Sequence, residues 1–298
     1  MKRSFYLLIA LLYVVMEVTT VTAQTTTCSN ATLNGKYAVS GQGDVYSCLL
    51  GVVCTDQTMS TVGYFWFDGN GNIASPTSGA GVGQAGARLF QATNAGVSSA
   101  MYTGTYTVSS DCSSGGIQLT SANSTQTLTY NLDPDGIDTN GLSHGAAALD
   151  AGQGRDEALQ LSRTVDPVGG CGVNGTFTLA GIAIRGLSLG TDISGNKVSN
   201  MVEIIFTDSA NFSGSERVST VDRGFSSNTY TGTYIIASDC TVSLTKNVNG
   251  TEIQGAHVIT GDDFGSFDVH SIVWQGDSIL PNARFLRTHA LPDARNEY

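Results

Sequence analysis

Gly186-Leu187-Ser188-Leu189-Gly190 has the spacing of a nucleophile elbow, in which a strand enters a sharp turn, a helix leaves it, and the serine is thrust out for acyl transfer. The flanks here, IAIRG before and TDISGN after, read as strand and turn with no helix following. Ser188 is therefore expected inside a strand, not as a nucleophile. Gly81-Val82-Gly83-Gln84-Ala85-Gly86 has the glycine spacing of a dinucleotide-binding turn. No strong strand precedes it, no helical pattern follows, and no acidic residue sits about 20 positions on, so it is expected to be a loop. Asp68-Gly69-Asn70-Gly71-Asn72 places oxygen-bearing side chains at alternate positions, as at the start of a calcium loop. Its twelfth position is Gly79, where a bidentate glutamate is needed, and a hairpin turn is the simpler reading. These stretches imply no cofactor, no metal and no catalytic residue.

Three other residues could form a ligand site. Asp268, His270, Ile272 and Trp274 alternate along one segment and would share one face of a strand, and Glu203 shares a face with Met201 and Ile205. Turned inward, Glu203, His270 and Trp274 would line a mainly apolar cavity with a few convergent polar groups, the usual form of a small-molecule site. The opposite facing is equally allowed by a period of two: Val202, Ile204 and Phe206 would then fill the interior and Glu203 would stand in water. Asp268, His270 and His257 could also supply a general acid or base.

The elements that must position these groups come as a pair. Tyr102 to Cys112 read YTGTYTVSSDC and Tyr230 to Cys240 read YTGTYIIASDC, with eight of eleven positions identical and the copies offset by 128 residues. The surroundings match in order. Cys28 and Cys171 open the copies, Tyr37, Val39 and Gly41 correspond to Phe177, Leu179 and Gly181, and YFWFDGNGNI corresponds to EIIFTDSANF. LQLSRT and ARFLRT close them. The organisation expected is a leader at 1–23, one repeat at 28–164, a Pro/Gly linker VDPVGG at 165–170 and a second repeat at 171–298. Within each repeat the runs are short and alternate in twos, as in YAVSG, GYFWF and MVEIIF. TFTLAGIAI reads as one strand, and GRDEALQLSR as another. The fold class is all-β: two tandem small antiparallel barrels, with two β-sandwiches as the alternative.

Lys2 and Arg3, the apolar run from Phe5 to Met16 and the small residues Val21-Thr22-Ala23 have the three parts of a secretory signal. Reading back in twos from Tyr298 meets Pro292 and no lipid-facing stripe, which speaks against an outer-membrane barrel. A secreted chain, extracellular or periplasmic, follows. Its net charge of −11 becomes −12 without Lys2, Arg3 and Glu17, and only Lys36, Lys197 and Lys246 remain as lysines. So acidic a surface repels phosphate backbones, so no nucleic acid is expected as a partner and anionic lipid is a poor one. Six cysteines in an exported chain suggest three disulfides. The duplication favours Cys28 with Cys112 and Cys171 with Cys240, leaving Cys48 with Cys54 in an insertion that the second copy lacks.

The succession Cys…NGxY/F, FDGNGN, TGTYTV…DC resembles secreted bacterial β-proteins built as calycin or allene-oxide-cyclase-like barrels. The resemblance rests on turn and strand residues, so it implies a barrel and carries over no catalytic residue. The expectation is a non-catalytic binding or surface protein, its partner a small apolar molecule or an extracellular protein. The alternatives are a cyclase or isomerase working in a barrel lumen and a structural extracellular component.

Overall fold

The computed structural model describes residues 27–49, 53–77, 81–93, 95–122, 127–133, 144–149, 155–167, 169–172, 175, 177–191, 197–220, 224–261, 267–275 and 284–286. The leader expected at 1–23 lies outside them. The described residues are almost entirely strand. The first sheet comprises β1 (Asn34–Leu49), β2 (Val53–Asp68), β3 (Asn72–Ile73), β4 (Ala87–Thr93), β5 (Gly96–Val108), β6 (Gly115–Ser121), β7 (Thr127–Asp133), β8 (His144–Leu149) and β9 (Arg155–Thr164). All pairings are antiparallel. Because β1 pairs with both β2 and β9, and β4 with both β2 and β5, the ladder closes into a barrel. The second sheet comprises β10 (Ala183–Thr191), β11 (Lys197–Phe206), β12 (Asn211–Thr220), β13 (Gly224–Ile236), β14 (Thr241–Val248), β15 (Thr251–Gly261), β16 (Phe267–Trp274) and β17 (Arg284–Leu286). It curls until β17, paired to β10, comes beside β16. Among the described residues no ladder joins those last two strands.

The repeated string is repeated because nearly every position in it has a structural task. Tyr102 and Tyr106, like Tyr230 and Tyr234, point into their barrels, while the threonines between them point out. Tyr106 meets Phe67 edge-on at 4.8 Å between ring centres, and Tyr234 meets Phe206 at 4.9 Å. Both of these hydroxyls find a carbonyl: Tyr106 donates to Asn30 and Leu33, both at 2.7 Å, and Tyr234 donates to Asp208 at 2.6 Å. Burial pushes the Tyr106 phenol up to about 12. Between the tyrosines only glycine fits, since a Cβ on Gly232 would sit 2.3 Å from the Phe212 ring. The string then ends in a tight turn with Cys112 and Cys240 both at φ 63, and their sulfurs bond to Cys28 and Cys171 respectively. Cys48 and Cys54 face each other in the β1–β2 register, but their side chains lie outside the described ones.

Strand pairing gives a residue-by-residue correspondence between the barrels. Tyr102 pairs with Ala87, which pairs with Phe65; Tyr230 pairs with Gly214, which pairs with Ile204. Phe65 thus corresponds to Ile204, Tyr64 to Glu203, Trp66 to Ile205 and Arg88 to Ser215. The single strand β12 has two counterparts, β3 and β4, separated by a loop that carries Gly81–Gly86. That glycine-rich stretch is a turn, with no helix after it. The opening strands differ from the sequence expectation, for by register Tyr37 corresponds to Ile184 and not to Phe177. TFTLAGIAI is not one strand: Ile182 N–H closes a turn onto the Leu179 carbonyl, Gly181 stands at φ 81, and β10 starts only at Ala183. Phe177 and Leu179 still pack on the core. His144 opens β8.

The two barrels are packed on each other. Ala38, Val62, Phe90 and Ala92, on the outward faces of β1, β2 and β4, form one buried cluster with Ala256, Val258 and Val273 of β15 and β16. This cluster is separate from the two barrel interiors.

Candidate functional site

The structure separates the three residues that the sequence offered as a ligand site. Val202, Ile204 and Phe206 are buried, so Glu203 is on the outer face of β11 with Met201 and Ile205, which are 51% and 40% exposed. There Glu203 accepts from Arg185 Nε at 2.6 Å. Trp274 points the other way, into the barrel, with its indole over Gly255, where a Cβ would come within 2.4 Å of the ring. His270 is on β16, but its side chain is not among those described. A register shift between His257 and Ile259 interrupts the alternation on β15 and β16, so Phe267 and Ile272 both reach the core despite opposite parity. Parity therefore does not assign His270 to the face of Trp274. Ser188 sits in mid-strand, opposite Asn200, and the next element among the described residues is the strand β11.

The second barrel holds a buried polar group that sequence reading missed. Lys246 is almost wholly buried, with its ammonium 3.5 Å from Glu216 Oε2, 4.7 Å from the Trp274 ring centre and 5.2 Å from that of Tyr230. Asn228 Nδ2 donates to the other oxygen of Glu216 at 3.3 Å. The aromatic faces and the carboxylate together replace the water that the ammonium has lost. By register the first barrel carries Leu119, Leu89 and Ala100 at these three places. A lysine alternating with Val242, Leu244 and Val248 was the available signal.

A second polar cluster lies between the barrels. Lys36, 1% exposed, forms an ion pair with Asp166 at 2.5 Å and donates to the Asp239 carbonyl at 2.8 Å. Burial drives the Lys36 amine below its ordinary value, and the two aspartates only partly offset that. Arg88 Nη1 donates to Asp239 Oδ2 at 2.9 Å and to the Thr241 hydroxyl at 3.0 Å. Burial pushes the Asp239 carboxyl up, but the Thr241 hydroxyl and Arg88 outweigh it and hold it below the usual range. Gln84, from the glycine-rich loop, joins through Trp66 and Asp166. The linker residue Asp166 is thus a structural partner and not part of a free tether. Asp111, the copy of Asp239, is exposed, and the Ser109 and Ser113 hydroxyls and the Ser113 N–H hold it down to about 2.

His257 is fully buried against Phe206, and neither ring nitrogen makes a hydrogen bond of normal geometry among the described residues. Desolvation depresses it to about 3, and the nearby Val258 backbone offsets only a little of that. It is a neutral core residue. Asp68 spends its carboxylate on Asn70 and Asn72, closing the hairpin turn. Among the described residues no three His, Cys, Asp or Glu side chains gather as metal ligands.

Two adjoining hollows open on the outer face of the second barrel. One, of about 500 Å³, is lined by Glu203, Ile205, Ser213, Ser215, Thr229 and Thr231 among others. The other, of about 440 Å³, shares Ser213, Thr231 and Asn247 with it and ends at Glu252. The barrel interiors, by contrast, are filled by their own aromatic side chains. No protein-family model matches the chain, and no curated protein matches it in sequence. The calycin-like or allene-oxide-cyclase-like resemblance rests on turn and strand residues alone.

Proposed function

We propose that the protein is a secreted, non-catalytic binding or surface protein. The observation that carries this reading is that the described core of each barrel is packed with its own aromatic side chains. Tyr37, Phe65, Phe67, Tyr102 and Tyr106 fill the first barrel, and Phe206, Phe212, Tyr234 and Trp274 the second, whereas the hollows open to solvent on the outside. A lumen enzyme needs room beside an acid or base, and the buried candidates, Glu157, Glu216 and His257, are packed among core side chains. Two disulfides agree with an oxidising compartment, and no helix among the described residues is long and apolar enough to cross a membrane. The test is to titrate a fluorescent fatty acid into the full chain while following Trp66 and Trp274 emission. The expected result is no saturable change; one-site saturable quenching of Trp274 would establish a usable lumen and overturn the reading.

A further inference from the structure

We propose that the outer hollows of the second barrel bind a neutral glycan chain, an inference that rests on the non-catalytic binding reading above. The hollow exists because of what the second copy lacks. On the corresponding face of the first barrel, Tyr64 and Arg88 project and bond to Asp239 of the second barrel, and Trp66 is covered by Gln84 of its own loop. At the same places the second barrel has Glu203, Ile205 and Ser215, and the face is open. The same surface that docks in one copy is concave and uncovered in the other.

Its chemistry is that of a sugar site. Ser213, Ser215, Thr229, Thr231 and Asn247 offer hydroxyl and amide groups that both donate and accept, and Glu203 and Glu252 add acceptors at the two ends. Neither hollow is lined by lysine or arginine, and a chain of net charge −11 repels polyanions. Phe225 stands 88% exposed on β13, in the same outward row as Thr229 and Thr231. An exposed aromatic ring offers a flat apolar face for the C–H side of a sugar, while the ring hydroxyls turn to the polar row. From Phe225 to Thr231 the strand runs about 20 Å at roughly 3.3 Å per residue, room for several sugar units.

The experiment is affinity electrophoresis of the full chain through native gels cast with hydroxyethyl cellulose, with galactomannan, or with heparin as the anionic comparison. Retardation is expected in at least one neutral gel and not in heparin, with the shift lost in Phe225→Ala and strongly reduced in Thr231→Val. Both positions are exposed, so the variants should keep the wild-type near-ultraviolet dichroism. Unchanged mobility in both neutral gels, retardation in heparin alone, or retardation indifferent to both substitutions would overturn the glycan site and leave the non-catalytic reading standing. Release of reducing ends from a polymer that retards the chain would do the reverse.

Discussion

His257 makes the stability of the second barrel depend on pH in a way that one substitution can isolate. Its imidazole is neutral and wholly buried, with a value of about 3 against 6.5 in an unfolded chain. Between those two values the unfolded chain binds a proton that the folded one refuses, so folding weakens as the solution is acidified. The contribution is complete above about pH 6.5 and falls by about 1.4 kcal/mol for each pH unit below it, reaching roughly 5 kcal/mol near pH 3. At about pH 4.5 the loss is about 3 kcal/mol, a large part of a domain's net stability. The first barrel supplies the control, because Leu132 holds the corresponding place. His257→Leu removes the titration and also two buried nitrogens without normal hydrogen bonds, which cost about 1–3 kcal/mol. Urea unfolding followed by Trp274 emission at neutral pH and at about pH 4.5 should show the variant losing about 3 kcal/mol less than the parent. Carboxylates that titrate in the same interval are common to both proteins and cancel in the difference. Equal losses in parent and variant would refute the buried neutral imidazole.

Two further outcomes follow from the buried ions. Replacing Lys246, Glu216 and Asn228 together by the Leu, Leu and Ala of the first barrel should leave stability unchanged or raise it by about 1–4 kcal/mol, whereas Glu216→Leu alone, which strands the ammonium, should cost about 3–5 kcal/mol in the same urea assay. Arg88→Ala removes the cation facing the buried Asp239 and should loosen the barrel-to-barrel contact without unfolding either barrel; faster proteolysis near Val168 with unchanged aromatic dichroism is the expected signature, and wild-type cleavage rates would contradict it.

Much of the fold was legible because the chain states it twice. The string ending in Cys112 and Cys240, with inward tyrosines and outward threonines, fixes a strand, a turn and a disulfide end in each copy. The facing of Glu203 was not legible, because a period of two is satisfied by either side until the core is known. Packing decided it: Val202, Ile204 and Phe206 meet Phe212, Tyr230 and Tyr234 inside. The burial of Lys36 was not legible either, since its parity points outward from β1 and only a second barrel laid over that face makes it buried. The break before β10 was hidden because Phe177 and Leu179 keep the apolar spacing of a strand while packing from a turn. The hollows arise from side chains that are small relative to their counterparts, a comparison that requires the strand register and not sequence order alone.

The barrels touch through unlike faces, β1, β2 and β4 of the first against β15 and β16 of the second. A head-to-tail contact of this kind, repeated faithfully, builds a ring where its rotation closes and a filament where it does not. The chain carries an unused copy of each face, and both have lost the residues that make the joint. Arg185 stands for Ala38, Glu203 for Tyr64 and Arg217 for Phe90 at one end, and Asn131 for Ala256 and Asp133 for Val258 at the other. Burying those charges against an apolar partner would cost several kcal/mol per ion, so the rule that joins the first barrel to the second is not available to a third. Two copies of one unit have diverged into a plug and a socket whose outer ends are sealed.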